Sequence, residues 1–331
     1  MPARSRHLSR VAQHGLALLA AYLCVACVDR VQVLEGAPPG AAPMDGGSGD
    51  AQPSGRDASI DGGGSQPRID AGRPDYVPVG DAQGPDEVDA GSEEAGPPPV
   101  LLPDPLVQYR FDEGAGERAL DSSNSSPLVH LEFEDPQAVT WTANGLRIDQ
   151  PTRLSSVEPP VALMAACQAS NELSIEAWVI PAVRTVAGTR RIVSLSATPA
   201  RRNMLLGQGA LQSEDPADAY VLRVRTTETD NNGLPMLSTG AGVSRRRLTH
   251  VIAAHASNGA ERIYIDGQLV AEGTRAGDFS NWDGSLRLTV GDEFNTSDDT
   301  RSWLGQLRGV YLYDTALSAQ EAAAAFEAGP R

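Results

Sequence analysis

The chain has 331 residues and a formal net charge of −16, and all 27 of its basic residues are Arg. Residues 30–104 hold 14 Gly, 12 Pro and a single aromatic, Tyr76, which excludes a packed core there: too little apolar surface is available to offset the entropy of ordering the backbone. The charge excludes a general nucleic-acid binder, which needs a basic face: residues 28–104 carry 15 acids against 4 Arg, and residues 105–331 carry 28 acids against 20 Arg.

In chain order, Arg4, Arg6 and Arg10 precede an apolar run over residues 15–23. A basic start followed by a short apolar stretch predicts a secretory signal, residues 1–26, and the run is too short to span a bilayer. The segment Leu23-Cys24-Val25-Ala26-Cys27 resembles a bacterial lipobox, in which small residues precede a cysteine that is acylated and becomes N-terminal; Cys24 stands where that pattern prefers Leu. The resemblance implies lipidation of Cys27 and an exported, membrane-anchored lipoprotein of the bacterial cell envelope, at the outer membrane or cell surface. An ordinary cleaved signal is the alternative. Residues 27–104 are predicted to be a disordered, acidic tether with an r.m.s. span on the order of 45–50 Å. Cys167, in the apolar setting Val161-Ala-Leu-Met-Ala-Ala-Cys167, reads as a buried, inert thiol.

From Pro105 the pattern changes to short alternating runs separated by Gly, Asn, Asp and Pro. Strands are predicted at residues 107–112, 131–133, 173–178, 191–195, 220–225, 263–265, 286–290 and 307–313. Asp266-Gly267 between two such runs is a two-residue hairpin signal. Near the end, Ser318-Ala-Gln-Glu321 before Ala-Ala-Ala-Ala-Phe326 predicts a capped short helix closed by Gly329. The expectation is an all-β sandwich or barrel over residues 105–331 with one C-terminal helix.

Four segments sharpen this. Leu106-Val-Gln-Tyr-Arg-Phe-Asp-Glu-Gly-Ala-Gly116, Leu173-Ser-Ile-Glu-Ala-Trp-Val179, Arg262-Ile-Tyr-Ile-Asp-Gly-Gln-Leu-Val270 after Thr249-His-Val251, and Gly305-Gln-Leu-Arg-Gly-Val-Tyr-Leu-Tyr-Asp-Thr-Ala-Leu-Ser318 resemble, in that order, laminin-G-like, concanavalin A-like modules. The resemblance implies a two-sheet antiparallel jelly roll that binds glycans or proteins, although some related sandwiches are enzymes. Such modules often hold a structural calcium through an Asp where this chain has Arg308. Two positive charges do not share one small site, so no cofactor is expected and calcium is doubtful. The resemblance further implies that Arg308 lies against the strand carrying Phe111 and Asp112, where its guanidinium would bridge to Asp112 or Asp121.

No catalytic residue is assigned. Glu172 and Glu176 are the nearest approach to the paired carboxylates of a glycoside hydrolase, but the intervening acid is replaced by Ser174, and Glu176, inside a Trp-containing strand, reads as a face-lining or turn-contacting residue rather than a catalytic one. No metal ligand is assigned either; the loop 291–299 collects Asp292, Glu293, Asp298 and Asp299 and would suit calcium, or simply water. The ligand-binding candidates are Arg223, Arg225 and Arg287, predicted to point away from the core together with Arg262, and Trp282 in the turn before the last of these strands. Outward guanidiniums bind carboxylates bidentately and an exposed Trp stacks on a sugar ring; the alternative is a sheet face closed by its own ion pairs. The partners expected are a glycan or a surface protein, and the membrane through the anchor. The function expected is non-catalytic recognition, with a carbohydrate-active enzyme or a passive envelope component as alternatives.

Overall fold

The computed structural model describes residues 100–209, 216–296 and 299–331. The signal, Cys27, the tether through residue 99 and Asp298 lie outside the described residues. In chain order, β1 (Val107–Tyr109), β2 (Arg118–Ala119), β3 (Leu131–Phe133), β4 (Val139–Thr142), β5 (Gly145–Ile148) and β6 (Leu154–Ser156) precede α1 (Val161–Ser170). Next come β7 (Leu173–Pro181), β8 (Arg190–Thr198), β9 (Arg201–Gln208), β10 (Tyr220–Val224) and β11 (Leu237–Ser238). The chain continues through β12 (Thr249–His255), β13 (Ala260–Ile265), β14 (Gln268–Thr274), β15 (Arg287–Val290) and β16 (Gly305–Tyr313) to α2 (Ala319–Ala328).

These strands form two antiparallel sheets. The first runs β14-β13-β12-β7-β16-β5-β4, with β1 also on β16; the second runs β11-β10-β9-β8-β15-β6-β3-β2. One core lies between them. Ile175, Val179, Leu307, Val310 and Leu312 of the first sheet meet Val193, Leu195, Met204, Leu206, Leu222 and Leu288 of the second. The period-2 alternation read from the sequence is the cause: every second residue of each strand turns to this layer. The arrangement is the expected two-sheet jelly-roll sandwich.

Local signals are realised where predicted. Asp266 and Gly267 have φ of 50° and 77°, as a two-residue hairpin turn requires, and they join β13 to β14. The Ser318–Glu321 capping box is complete at the start of α2. This helix lies on the outer face of the first sheet, over a second apolar cluster of Trp178, Ile252, Tyr264, Tyr311 and Tyr313.

One expectation is corrected: the sandwich has two helices, not one. The run Val161-Ala-Leu-Met-Ala-Ala-Cys-Gln is rich in strong helix formers. It starts after Pro160 and stops at Asn171, whose φ of 56° is left-handed. The helix buries Leu163, Met164 and Cys167. Burial pushes the Cys167 thiol well up, with a smaller contribution from the Asp314 charge, in line with an inert thiol.

Candidate functional site: an arginine-lined sheet face and a basic groove

The outer face of the second sheet is set by alternation interrupted at three irregularities in the β8–β9 pairing, the first two of which bring arginines to it. Leu222, Val224 and Leu288 turn into the core, so Arg223 and Arg287 turn away from it. At the first bulge Ile192 and Val193 both stay in the core, which puts Arg191 on the outer face opposite Gly207. At the second, Leu195 pairs with Met204 but Ser196 pairs with Arg202, which brings Arg202 to the same face. Sequence reasoning missed Arg191 and Arg202 because the bulges break the period. Their signal was an Arg-Arg pair at the start of each of two successive strands.

The face is not open. The segment after β15 folds back across it. Glu293 accepts from Arg191 Nε at 2.5 Å, and its other oxygen lies 3.3 Å from Arg202. Asp292 accepts from the Ser302 hydroxyl at 2.5 Å, and Phe294 is held between the guanidiniums of Arg153 and Arg287, 4.1 and 4.0 Å from its ring centre. Arg191, Arg202 and Arg223 are each no more than 1% exposed, as is Glu293.

The expected ligand platform is therefore corrected. Arg223 and Arg287 do share one sheet and one face, but Arg223 is buried, donating to Thr189 Oγ1 at 2.9 Å and Asn232 Oδ1 at 3.3 Å, and Arg287 is half-buried beside Phe294. Arg225 lies just past β10, half-buried, with its carbonyl accepting from Trp282 Nε1 at 2.7 Å. Trp282 is not an exposed stacking ring: it is 6% exposed and stacks on Phe279 within the main core, with ring centres 4.4 Å apart. Burying an indole whose N–H has found a carbonyl is the stable solution for such a side chain. Arg262 belongs to the other sheet, on β13.

An open groove of about 530 Å³ lies elsewhere, at the edge of the first sheet, lined by Arg110, Asp112, Asn144, Arg308 and Arg331 among others. Its geometry follows from the backbone. Strand β5 pairs with β16 as far as Leu307 and β1 pairs with it from Val310, so the bulged Arg308 stands in the gap between them. Gly145, at φ 130°, lets the β4–β5 turn press on β16 here; a Cβ at that position would fall 2.0 Å from the Leu307 carbonyl oxygen. Phe111 takes φ 53° and buries its ring while Arg110 and Asp112 on either side stay exposed. The expected neighbourhood of Arg308 is thus present, but the expected bridge to Asp121 is not. Asp121 accepts from the backbone N–H groups of Gln108, Ser123 and Val129, and Arg308 Nε is buried with no acceptor. These residues do not fit a calcium ion: the position that would supply a carboxylate supplies a guanidinium, and Asp121 is fully committed.

The two carboxylates weighed for hydrolysis are both engaged by the protein. Glu172 accepts from the Ser257 hydroxyl at 2.8 Å and the Ala316 N–H at 3.0 Å, tying two turns to the start of β7. Glu176 is buried under α2, where it accepts from Tyr313 Oη and Arg331 at 2.6 Å each and faces His250 Nε2 at 3.1 Å. In the loop weighed for calcium, Glu293 is held by arginines. Among the described residues, no group of three or more His, Cys, Asp or Glu is placed to hold a metal ion.

A search of the curated proteins gives no match in sequence. Many solved structures resemble the fold, three of them as follows. The sialidase of Trypanosoma rangeli is 15% identical, covering 72% of this chain and 35% of its own, with a TM-score of 0.49. The receptor-binding domain of botulinum neurotoxin type G is 11% identical, over 68% of this chain and 51% of that one, with a TM-score of 0.48. The heptameric SAP-like pentraxin of Limulus polyphemus is 17% identical, over 46% and 69% respectively, with a TM-score of 0.37. This chain thus spans about a third of the sialidase and half of the toxin chain. The laminin G family described as the concanavalin A-like lectin/glucanases superfamily matches residues 155–323, from β6 into α2. That match covers just over half of the chain and takes in strands of both sheets, from β6 to β16: the chain belongs to the concanavalin A-like lectin/glucanases superfamily, as a laminin G-like member.

Proposed function

We propose that this protein is an exported lipoprotein, anchored through Cys27, that displays its laminin G-like module on the 27–104 tether for non-catalytic recognition of acidic glycans at the cell envelope. The observation that carries the reading is the open groove, in which Arg110 and Arg308 outnumber the single acid Asp112, the third lining guanidinium, Arg331, being paired with Glu176. Its volume is that of a small-ligand site, and guanidinium forks match carboxylate and sulfate groups. In a module with an acidic balance overall, a local excess of cations selects for anionic partners. The engagement of Glu172 and Glu176 by protein donors supports the non-catalytic part. Arg223, Arg225, Trp282 and Arg287 give way in this reading to the groove residues.

The test is a glycan array probed with the detergent-extracted full chain, with and without calcium, beside Arg110→Ala and Arg308→Ala. Binding should favour sialylated, uronic or sulfated glycans over neutral ones, should not need calcium, and should fall about tenfold or more in each variant. Preference for neutral glycans, or undiminished binding by both variants, would refute the groove; release of sugar from a bound glycan would refute the non-catalytic reading. Cys27→Ser should move the chain from the detergent phase to the aqueous phase, and a wild-type chain recovered wholly in the aqueous phase would refute the anchor.

A further inference from the structure

The outer face of the second sheet holds more positive charge than its surroundings neutralise. Arg191, Arg202 and Arg223 are each no more than 1% exposed. The carboxylate paired with them is Glu293, shared between Arg191 and Arg202; Asp292, which faces Ser302, and Asp230 act on Arg191 and Arg223 respectively through their charge alone. Burial pushes the Asp292 carboxyl up from the ordinary aspartate value. Burial also pushes the Arg202 guanidinium down to about 9, with the charges of Arg191, Arg223 and Arg301 adding to the effect, and Arg223 down to about 10, with Arg191 and Arg301 adding to it; the Glu293 charge opposes both shifts. A guanidinium does not surrender its proton inside a protein, so the unfavourable energy of three confined cations remains.

The hydrogen-bond inventory agrees. Arg191 spends Nε on Glu293 and one terminal nitrogen on the Thr189 carbonyl, and its other terminal nitrogen is buried without an acceptor. Arg202 uses one terminal nitrogen on Glu293 and the Pro199 carbonyl, and its Nε and remaining terminal nitrogen are buried without an acceptor. Arg223 uses both terminal nitrogens, and its Nε is buried without one. Each guanidinium therefore keeps at least one unused donor in the interior, where buried charges are stable only when paired and buried donors only when bonded.

We propose that Arg191, Arg202 and Arg223 form a buried binding site for one oxyanion group, a carboxylate, sulfate or phosphate, which neutralises the cluster and accepts its unused N–H groups. The chemistry is the same whether the group belongs to a free inorganic ion or to the acid of a sugar. A planar or tetrahedral group with several oxygens suits donors carried by three neighbouring strands better than a single-atom ion. Glu293 already meets part of this demand from within the chain. The inference does not depend on the groove: the two sites lie on different sheets.

The experiment uses the purified full chain, dialysed into chloride and melted with increasing sulfate, phosphate, N-acetylneuraminate or glucuronate. Ionic strength is held constant with chloride, and galactose is the neutral control. At a ligand concentration about a hundredfold above its Kd, linkage predicts a rise in melting temperature of about 5–10 °C. Equilibrium dialysis against radiolabelled sulfate and phosphate should give one saturable site per chain. Arg223→Met should abolish the response, while Arg287→Met, on the same face but outside the cluster, should keep it. Glu293→Gln removes the competing carboxylate and should make the melt more dependent on the oxyanion. A response to the inorganic ions alone assigns the site to a free ion, and competition by the sugar acids assigns it to a ligand's acid group. Equal melting in all anions, with no saturable sulfate or phosphate binding to the wild-type chain, would overturn the proposal whether or not the variants fold. A negative glycan array beside positive sulfate binding would remove the groove reading and leave this one standing.

Discussion

Glu176 offers the sharpest test of how the second apolar cluster is held. Its carboxylate, fully buried beneath α2, is the common acceptor for Tyr313 Oη, Arg331 and His250 Nε2. Removing it in Glu176→Ala leaves a half-buried guanidinium and two buried polar side chains without their acceptor. Breaking a buried charge pair in this way costs about 3–5 kcal/mol. In a module of this size each kcal/mol moves the melting temperature by roughly 2–4 °C, so the midpoint should fall by about 6–20 °C. Glu176→Gln keeps an acceptor oxygen but loses the charge, and should cost less, about 1–3 kcal/mol.

The pH dependence of the same group has a definite sign. Burial pushes the Glu176 carboxyl up, but this is outweighed by the His250 hydrogen bond, the charges of His250 and Arg331 and the Tyr313 hydroxyl, which hold it below the ordinary glutamate value. A carboxyl depressed in the folded state contributes stability that is present above its unfolded pKa, about 4.3, and lost as pH falls through the folded value. Wild-type melting followed by circular dichroism should therefore decline below about pH 4 more steeply than that of Glu176→Gln, which has no such proton to take up. A Glu176→Ala melt within about 3 °C of wild type, or identical acid limbs for wild type and Glu176→Gln, would refute the account.

Two further outcomes follow from local geometry. Gly267 sits at φ 77°, and a Cβ there would approach Ala323 Cα to 3.1 Å and Phe326 Cβ to 3.2 Å, so Gly267→Ala should cost about 1–2 kcal/mol from backbone strain and loosen α2 as well; an unchanged midpoint in thermal melting would refute this. Cys167 is fully buried with its thiol pushed up, so it should resist maleimide in the native chain and react fully in denaturant. Rapid native labelling, mapped to that residue by mass spectrometry, would contradict its place on the buried face of α1.

Much of the fold was legible because its signals are local. The alternation in Leu173-Ser-Ile-Glu-Ala-Trp178, the Asp266-Gly267 turn and the Ser318–Glu321 capping box each act over a few residues, and each appears where its chemistry demands. The signals that failed are those a neighbour along the strand can cancel. In Arg201-Arg202-Asn203-Met204-Leu205-Leu206 the bulge destroys the period that would mark β9, so the strand was invisible. The helix α1 was missed for a different reason: a ten-residue apolar run without a polar stripe does not declare its period, and only Pro160 and Asn171 mark its ends.

For the sites, direction was legible and depth was not. That Arg223 and Arg287 point away from the core follows from Leu222 and Leu288 pointing into it. That Arg223 is nonetheless buried goes with its partners Thr189, just before β8, and Asn232, past the end of β10, neither of which the alternation within β10 reveals. The absence of Lys acquires its meaning here. An ammonium is strongly hydrated and loses much by burial, whereas a guanidinium is weakly hydrated, planar and able to share five donors among carbonyls, hydroxyls and carboxylates. At exposed pairs such as Arg118–Glu132 and Arg147–Asp149 the choice of cation matters little to stability. At Arg191, Arg202 and Arg223 it decides whether a charged side chain can occupy the interior of a sheet face at all, and so whether that face can hold an anion.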